Sequence, residues 1–313
     1  MTFALSEEQQ MLKDSVDRFV AQDYGFDVRR ALANSDLGYS VGHWQTFAEL
    51  GWLSVPFAEE NGGFGGSPRD VATMTEALGR GLVTEPFVPC LVLAGRLVEM
   101  LGSADQKHAI LPPVIAGETQ LALAHVERRA AGNPACVGCT VQADGDGFLI
   151  SGEKQLVLNG PSADLLLVSA RSGGAERDRQ GVELFVVDAD TDGIRRRDYP
   201  TIDGLRAADI TFDNVRVDGA SRMGNPDTSI DAIETVTDEA IIACCAEAVG
   251  IMEVLVRDTV EYARTRKQAI QIHGGMGTTD ELHIGHYVKR LLALEVLFGD
   301  SDYHLDRYAA LID

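Results

Sequence analysis

The sequence predicts an α+β chain in three parts: an N-terminal helical domain at residues 1–118, a central antiparallel β domain at 119–228 and a C-terminal helical bundle at 229–313. Three observations carry this reading. Apolar residues recur at helical spacing through the first third, short β-type runs separated by Gly/Asp turns fill the middle, and helical periodicity returns from Asp231.

The first helix follows from Met11, Leu12, Val16, Phe19 and Val20, with Ser6 placed to cap it and acidic residues in its first turn. A second helical segment carries Trp44, Phe47 and Leu50, and Asn61-Gly-Gly-Phe-Gly-Gly66 ends the pattern. Further helices are predicted through Glu76–Gly79, Leu93–Leu101 and Gln106–Ala116. The period then shortens. Gly147–Ile150, Leu165–Val168, Val182–Val187 and Ala208–Phe212 read as strands, Asp144-Gly-Asp-Gly147 as a hairpin turn, and the polar stretch 171–181 as a solvated loop between strands. Beyond Asp231, Ile241, Ile242, Cys245, Ala248, Val249, Met252, Leu255, Val256 and Val260 spread over a face wide enough to require several neighbouring helices. Thr278 and Glu281 have capping-box spacing, which starts one more helix.

Composition narrows the functional classes. With 45% hydrophobic residues among 313, the chain can bury a sizeable core. Lys+Arg 27 against Asp+Glu 48 gives a net charge of -21, which disfavours nucleic acid and anionic membranes, so any phosphate-bearing ligand must be met locally. Five cysteines without a regular framework suit a reducing cytoplasm. Cys136-Val-Gly-Cys139 lacks a second ligand pair and reads as small strand residues rather than a zinc site. The start, Met1 to Gln10, has no basic stretch followed by an apolar one, so no signal peptide is expected. The most apolar run, 240–256, is interrupted by Glu247 and Glu253 and is too short to span a bilayer.

The sharpest local feature is the glycine turn Gln271-Ile-His-Gly-Gly-Met-Gly277 between two helical segments. Glycines let backbone N–H groups approach phosphate oxygens, and a helix start favours negative charge; the same residues also make an ordinary helix connection. The wider order of motifs adds meaning. Glu49-Leu-Gly-Trp52, Glu59-Glu-Asn-Gly-Gly63, Glu76-Ala-Leu-Gly79, Gly152-Glu-Lys154, Arg264-Thr-Arg-Lys-Gln268 and the glycine turn together resemble the acyl-CoA dehydrogenase family over nearly the whole chain. Within it, Asp203-Gly-Leu-Arg-Ala-Ala208, Cys245-Ala-Glu-Ala-Val-Gly250 and Leu297-Phe-Gly-Asp300 are similar to the small subunits of pimeloyl-CoA dehydrogenase and to related heteromeric enzymes.

The resemblance implies α,β-desaturation of an acyl-CoA thioester. A carboxylate takes the α-proton while FAD accepts the β-hydride, and electrons pass on to electron-transfer flavoprotein or a similar acceptor. It implies FAD contacts by Arg266, and by Gln271, Gly274 and Gly275 toward a flavin held mainly by a neighbouring subunit. Three departures point to a partner role. Phe298 stands before Gly299 where the family base often sits. Asp238 and Glu239 are the nearest candidates for the alternative base on the preceding helix, although acids at a helix start commonly just complement its dipole. The flavin-facing strand reads Leu156-Val-Leu-Asn159 in place of Trp-Ile-Thr-Asn, and His125, Glu127 and Arg128 replace a flavin loop, reading most simply as surface residues. Finally, the two long helices expected between Gln268 and Gln271 are missing, so the bundle reads as incomplete and a chain gap is expected between Lys267 and Gln271. The expected assembly pairs this chain with a larger, base-bearing homologue in a heterotetramer; a non-catalytic scaffold is the alternative.

Overall fold

The computed structural model describes residues 4–130, 132–265 and 283–312. Arg266, Gln271, Gly274, Gly275, the capping pair Thr278 and Glu281, and the Lys267–Gln271 link all lie outside the described residues. The fold matches the three-part expectation: helices α1 (Glu7–Asp23), α2 (Phe26–Ala33), α3 (Val41–Glu49), α4 (Pro68–Arg80), α5 (Arg96–Leu101) and α6 (Ala104–Ile115) precede the sheet, and α7 (Ser229–Thr265), α8 (His283–Val296) and α9 (Ser301–Ile312) follow it.

Local chemistry starts the helices where the sequence places them. Ser6 Oγ accepts the Gln9 N–H at 3.1 Å and Gln9 Oε1 accepts the Ser6 N–H at 3.1 Å, closing a capping box at α1. Ser67 with Asp70 and Ser103 with Gln106 repeat the device at α4 and α6. Trp44, Phe47, Trp52, Leu53 and Phe57 are essentially fully buried and form the centre of the N-terminal core.

The sheet comprises β1 (Leu121–Ala124), β2 (Thr140–Asp144), β3 (Gly147–Leu158), β4 (Leu165–Arg171), β5 (Val182–Asp188), β6 (Ile194–Pro200), β7 (Arg206–Asp218) and β8 (Arg222–Met223), in the order β6-β7-β3-β2-β4-β5-β8. It is antiparallel along most of this path, as expected, but β1 and β2 pair with β4 in parallel, so the sheet is mixed. A parallel pairing needs a long crossover, and the β2–β3 hairpin provides the one between β1 and β4. The hairpin turns at Gly145-Asp146, with Gly145 at φ +64°. The loop between β4 and β5 is held from below: the buried Arg171 guanidinium donates to the carbonyls of Ala135, Val137, Gly173, Glu176, Asp178 and Gln180.

Helices α4 and α7 cross at glycines. A Cβ on Gly79 would lie 2.4 Å from the Glu247 carbonyl oxygen, and one on Gly250 would lie 1.9 Å from that of Glu76. Any side chain there would force the helices apart, so the two glycines set the distance at which α7 meets the N-terminal domain. Among the described residues, no helix is long and apolar enough to cross a membrane.

Candidate functional site

Where the three parts meet, a cavity of about 750 Å³ opens. Leu37, Tyr39, Thr75, Leu78 and Phe87 line it from the N-terminal helices, Leu123, His125, Leu156, Leu158 and Asn159 from the sheet, and Ile233, Thr237, Phe298 and Tyr303 from α7 to α9. The sheet wall is shaped by β3, whose register with β7 slips between Lys154 and Val157. That irregularity leaves Leu156 at φ +50° and turned toward the cavity. Phe298 also lies at positive φ, +65°, followed by Gly299 at +117°.

One end of the cavity is walled by a buried ion cluster. Arg290 of α8 donates through Nε and Nη2 to Glu247 of α7, both at 2.7 Å, and through Nη1 to Asp203 of the β6–β7 turn at 2.7 Å. Arg29 of α2 adds a hydrogen bond to the Asp203 carbonyl and contacts His286 Nδ1 at 2.6 Å. Burial alone would raise the Asp203 carboxyl pKa; the Arg290 charge and the Thr201 hydroxyl outweigh it and hold the group below the usual carboxylate range. Four helices and turns from all three parts are thereby tied at one point.

A second buried network lies behind the sheet wall. Lys154, wholly buried, donates from Nζ to Glu127 Oε1 at 2.6 Å, to Ser169 Oγ at 2.9 Å and to the His125 carbonyl at 3.3 Å. Ser169 Oγ also meets His125 Nδ1 at 2.9 Å. Burial and then the Lys154 ammonium push the His125 pKa down to about 3, so the imidazole in the wall is neutral. Glu127 further accepts the N–H groups of Gly138 and Cys139, at 2.8 and 3.0 Å. The expectation that His125 and Glu127 are loop surface residues is thus corrected: Lys154 of the Gly-Glu-Lys segment draws both inward, and of the three only Arg128 is exposed. Cys136 and Cys139 are buried free thiols, and among the described residues no group of three or more His, Cys, Asp or Glu could hold a metal.

The two base candidates part company. Glu239 faces α5, where Arg96 Nε and Nη2 donate to its two oxygens, each at 3.0 Å, and it is absent from the large cavity's lining. Asp238 does border the cavity, but Arg307 of α9 holds both its oxygens at 2.7 and 3.0 Å. Glu239→Gln is therefore expected to cost about 1–3 kcal/mol of stability through the lost charged hydrogen bonds, while turnover of an assembled complex changes less than about tenfold, roughly 1.4 kcal/mol of barrier. Denaturant midpoints and steady-state rates check the two halves, and a collapse of turnover in folded protein would make Glu239 the base.

Of the other carboxylates on the lining, Glu234 and Asp300 are committed, and Glu85 is held through one oxygen while its Oε2 is buried without a hydrogen-bond partner. Glu234 binds Arg179 at 2.7 and 2.8 Å, and Asp300 accepts the Tyr303 N–H at 2.9 Å at the start of α9. Glu85 accepts from the Ser40 N–H at 3.2 Å and contacts His43 at 3.3 Å, with its side chain fully covered. The sequence reading identified Phe298, gave Asp203 and Glu247 no role in the site and did not name Arg290, Tyr303 or Arg307; the partners of Arg290 and Arg307 are 43 to 87 residues distant, beyond any local periodicity.

The lining was tested for the flavin that the resemblance implies. Leu156 and Leu158 offer a flat apolar surface, but Asn159 spends its amide hydrogens on Gln120 Oε1 and the Leu121 carbonyl, both at 3.0 Å. His125 is engaged by Ser169, and Arg290 and Arg307 are paired with carboxylates. Two lining groups keep a buried polar atom without a partner, Arg206 Nε and Glu85 Oε2, and Arg206 otherwise donates to the Ser35 carbonyl. A ring could lie against this wall, and the described lining alone supplies few of the contacts that a flavin's polar edge and phosphates need.

Comparison with known proteins agrees with the fold. Residues 6–118 match the acyl-CoA dehydrogenase N-terminal domain and residues 122–215 the middle domain of the same family. The chain belongs to the acyl-CoA dehydrogenase family, oxidoreductases acting on CH–CH bonds. It is 26% identical to a probable acyl-CoA dehydrogenase, YngJ, of Bacillus subtilis (strain 168) over 273 residues, 86% of this chain and 71% of that one. Two solved structures share the fold: the Tcur3481-Tcur3483 steroid ACAD G363A variant, with TM-score 0.84 and 24% identity over 98% of both chains, and PigA with FAD and proline, with TM-score 0.91 and 20% identity over 100% of this chain and 99% of that one.

Proposed function

We propose that this chain is a subunit of a FAD-dependent acyl-CoA dehydrogenase that desaturates an acyl-CoA thioester together with a homologous, base-bearing chain. What supports the reading is the state of the cavity: Phe298 stands where the resemblance places the family's base, and the carboxylates on the described lining are held by a cation or a backbone N–H, Glu85 through one oxygen only. A group holding an arginine is a poor acceptor for a substrate proton, because accepting it would strand a buried or half-buried charge. In the complex, the flavin supplies the hydride acceptor. This chain supplies an apolar wall, a closed ion cluster that excludes water, and, outside the described residues, Arg266, Gln271, Gly274 and Gly275 as contacts to a flavin held largely by the neighbour.

The similarity to a steroid dehydrogenase named for two gene products supports a heteromer. The proposed complex is related to the pimeloyl-CoA dehydrogenase type and works in the cytoplasm with electron-transfer flavoprotein or a similar acceptor. The 750 Å³ cavity accommodates a bulky acyl group, with dicarboxylyl, steroid side-chain and fatty acyl thioesters as the panel to try. The scaffold reading, with no flavin contact at all, predicts that co-purification with the homologue leaves flavin content unchanged.

Co-expression tests the proposal. The chain alone is expected to purify colourless and inactive, and the complex yellow and active with an artificial acceptor. Phe298→Glu in the chain alone should remain inactive, because a carboxylate there still lacks a flavin. A yellow preparation in which Phe298→Glu creates turnover would overturn the partner assignment.

A further inference from the structure

Three arginines line the large cavity, and two of them are fully engaged. Arg290 answers Glu247 and Asp203, and Arg307 answers Asp238. Arg206, the first residue of β7, differs: among the described residues no carboxylate pairs with it, and its side chain makes one hydrogen bond, from Nη2 to the Ser35 carbonyl. Its Nε is buried without a partner. A buried N–H normally finds an acceptor, and an unpaired guanidinium is the more unusual in a chain with Asp+Glu 48 against Lys+Arg 27.

The side chain is held in place. A Cβ on Gly38 would lie 2.6 Å from Arg206 Cγ, so the α2–α3 loop rests directly on the arginine stem, and Gly38 adopts φ +78° there. Ser35 fixes the loop in turn: its Oγ accepts the Gly38 N–H at 3.1 Å and donates to the Leu32 carbonyl at 2.7 Å. The guanidinium is thereby anchored along its stem and at one nitrogen, with Nε and Nη1 uncommitted. A group ordered in advance binds a ligand's acceptor without the entropy cost of being fixed at that moment. The lining around it is apolar. Leu37 comes from the same loop, Ile202 and Leu205 from the turn that leads into Arg206, and Leu158 pairs with Ala207, the next residue of β7, while the Asn159 amide is already engaged.

We propose that Arg206 receives the free carboxylate of a dicarboxylyl thioester, whose apolar chain lies along the lining between Arg206 and Phe298. This rests on the acyl-CoA reading above and narrows its substrate panel. The chemistry of the wall decides among the three thioesters. A fatty acyl chain or an uncharged steroid side chain would cover the guanidinium and bring it no acceptor, adding desolvation to a charge that already lacks a partner. A carboxylate brings both the opposite charge and oxygen acceptors that match the planar donors of a guanidinium. A phosphate, of CoA or of a nucleotide, is the poorer match, since phosphates are met by several convergent donors and Arg206 stands among apolar neighbours.

Titration calorimetry on the full chain, without an electron acceptor, tests the assignment by binding alone. The probes are ω-carboxyacyl-CoA thioesters of increasing length, each beside its methyl ester, which keeps the shape and removes the charge, with free CoA as the control for the phosphates. At the best length the acid is expected to bind at least about tenfold more tightly than its ester, a comparison that needs no variant. Arg206→Gln should bring the two within about twofold of each other and leave the ester's affinity unchanged, and Arg206→Lys should keep part of the preference. Circular dichroism confirms that each variant is folded. Acid and ester bound equally by the unaltered chain, or a preference that survives in Arg206→Gln, overturns the inference and leaves the acyl-CoA reading standing. Equal weakening of acid, ester and free CoA in Arg206→Gln also overturns it and assigns Arg206 to a CoA phosphate. If no thioester binds, the cavity is not an acyl site and both readings fail together.

Discussion

Glu127→Gln is expected to lower the unfolding free energy by about 3–5 kcal/mol, the range found when one partner of a buried ion pair is removed. Lys154 is wholly buried, and among the described residues Glu127 is its only charged hydrogen-bond partner, 2.6 Å away; Ser169 Oγ and the His125 carbonyl also accept from it but carry no charge. Neutral glutamine keeps the shape and leaves the ammonium uncompensated. It also weakens the acceptance of the Gly138 and Cys139 N–H groups, which loosens the start of β2 and the wall that presents His125. Urea denaturation at pH 7 measures the cost. The double variant with Lys154→Met should recover part of it, because the stranded charge is then gone and the methionine stem fills the site. A loss below about 1 kcal/mol, the value of an exposed pair, would show that water reaches Lys154.

The same network shows what could be read before the structure. The three-part architecture was legible because each element carries its own signal: Ser6 caps α1, the Gly145-Asp146 turn closes the β2–β3 hairpin, and the apolar spacing from Ile241 onward belongs to one long helix. The parallel placement of β1 beside β4 was not legible, since alternation within a four-residue strand does not encode its neighbour. At the cavity, Phe298 was identified from its glycine, and it does face the space where the three parts meet. The partners of Asp203, Glu247 and Glu127 were hidden for another reason. A carboxylate on a helix or loop looks solvated in sequence, and only the fold reveals an arginine or lysine brought to it from 27 to 87 residues away. Asp238 and Glu239, adjacent in sequence, illustrate the limit most simply. One helical step of 100° sends the first to Arg307 at the cavity rim and the second to Arg96 under α5.

Arg290→Met is expected to destabilise the protein by about 3–5 kcal/mol near neutral pH, with a deficit that shrinks as the pH falls. Arg290 answers two carboxylates at once, Glu247 on α7 and Asp203 on the β6–β7 turn, and neither has another cation within hydrogen-bonding distance among the described residues. In the unaltered protein the Asp203 pKa is depressed in the folded state. Its contribution is therefore present above the unfolded pKa of about 3.9 and is lost as pH falls through the lower folded value. Without Arg290 the largest influence lowering the Asp203 pKa is gone, while burial still raises it and the Thr201 hydroxyl, the Leu205 N–H and the Arg29 charge still lower it, so the folded value moves up toward that of the unfolded chain. The deficit of the variant therefore shrinks as the pH falls below about 4, and urea midpoints for both proteins at pH 6, 4 and 3 should converge. Adding Asp203→Asn to Arg290→Met removes the titrating group and should flatten the difference with pH. A deficit that stays constant across this range in Arg290→Met would mean that the cluster acts through packing of the guanidinium rather than through its charge, and the ion cluster would then cease to be the reason that the sheet, α7 and α8 meet where the cavity opens.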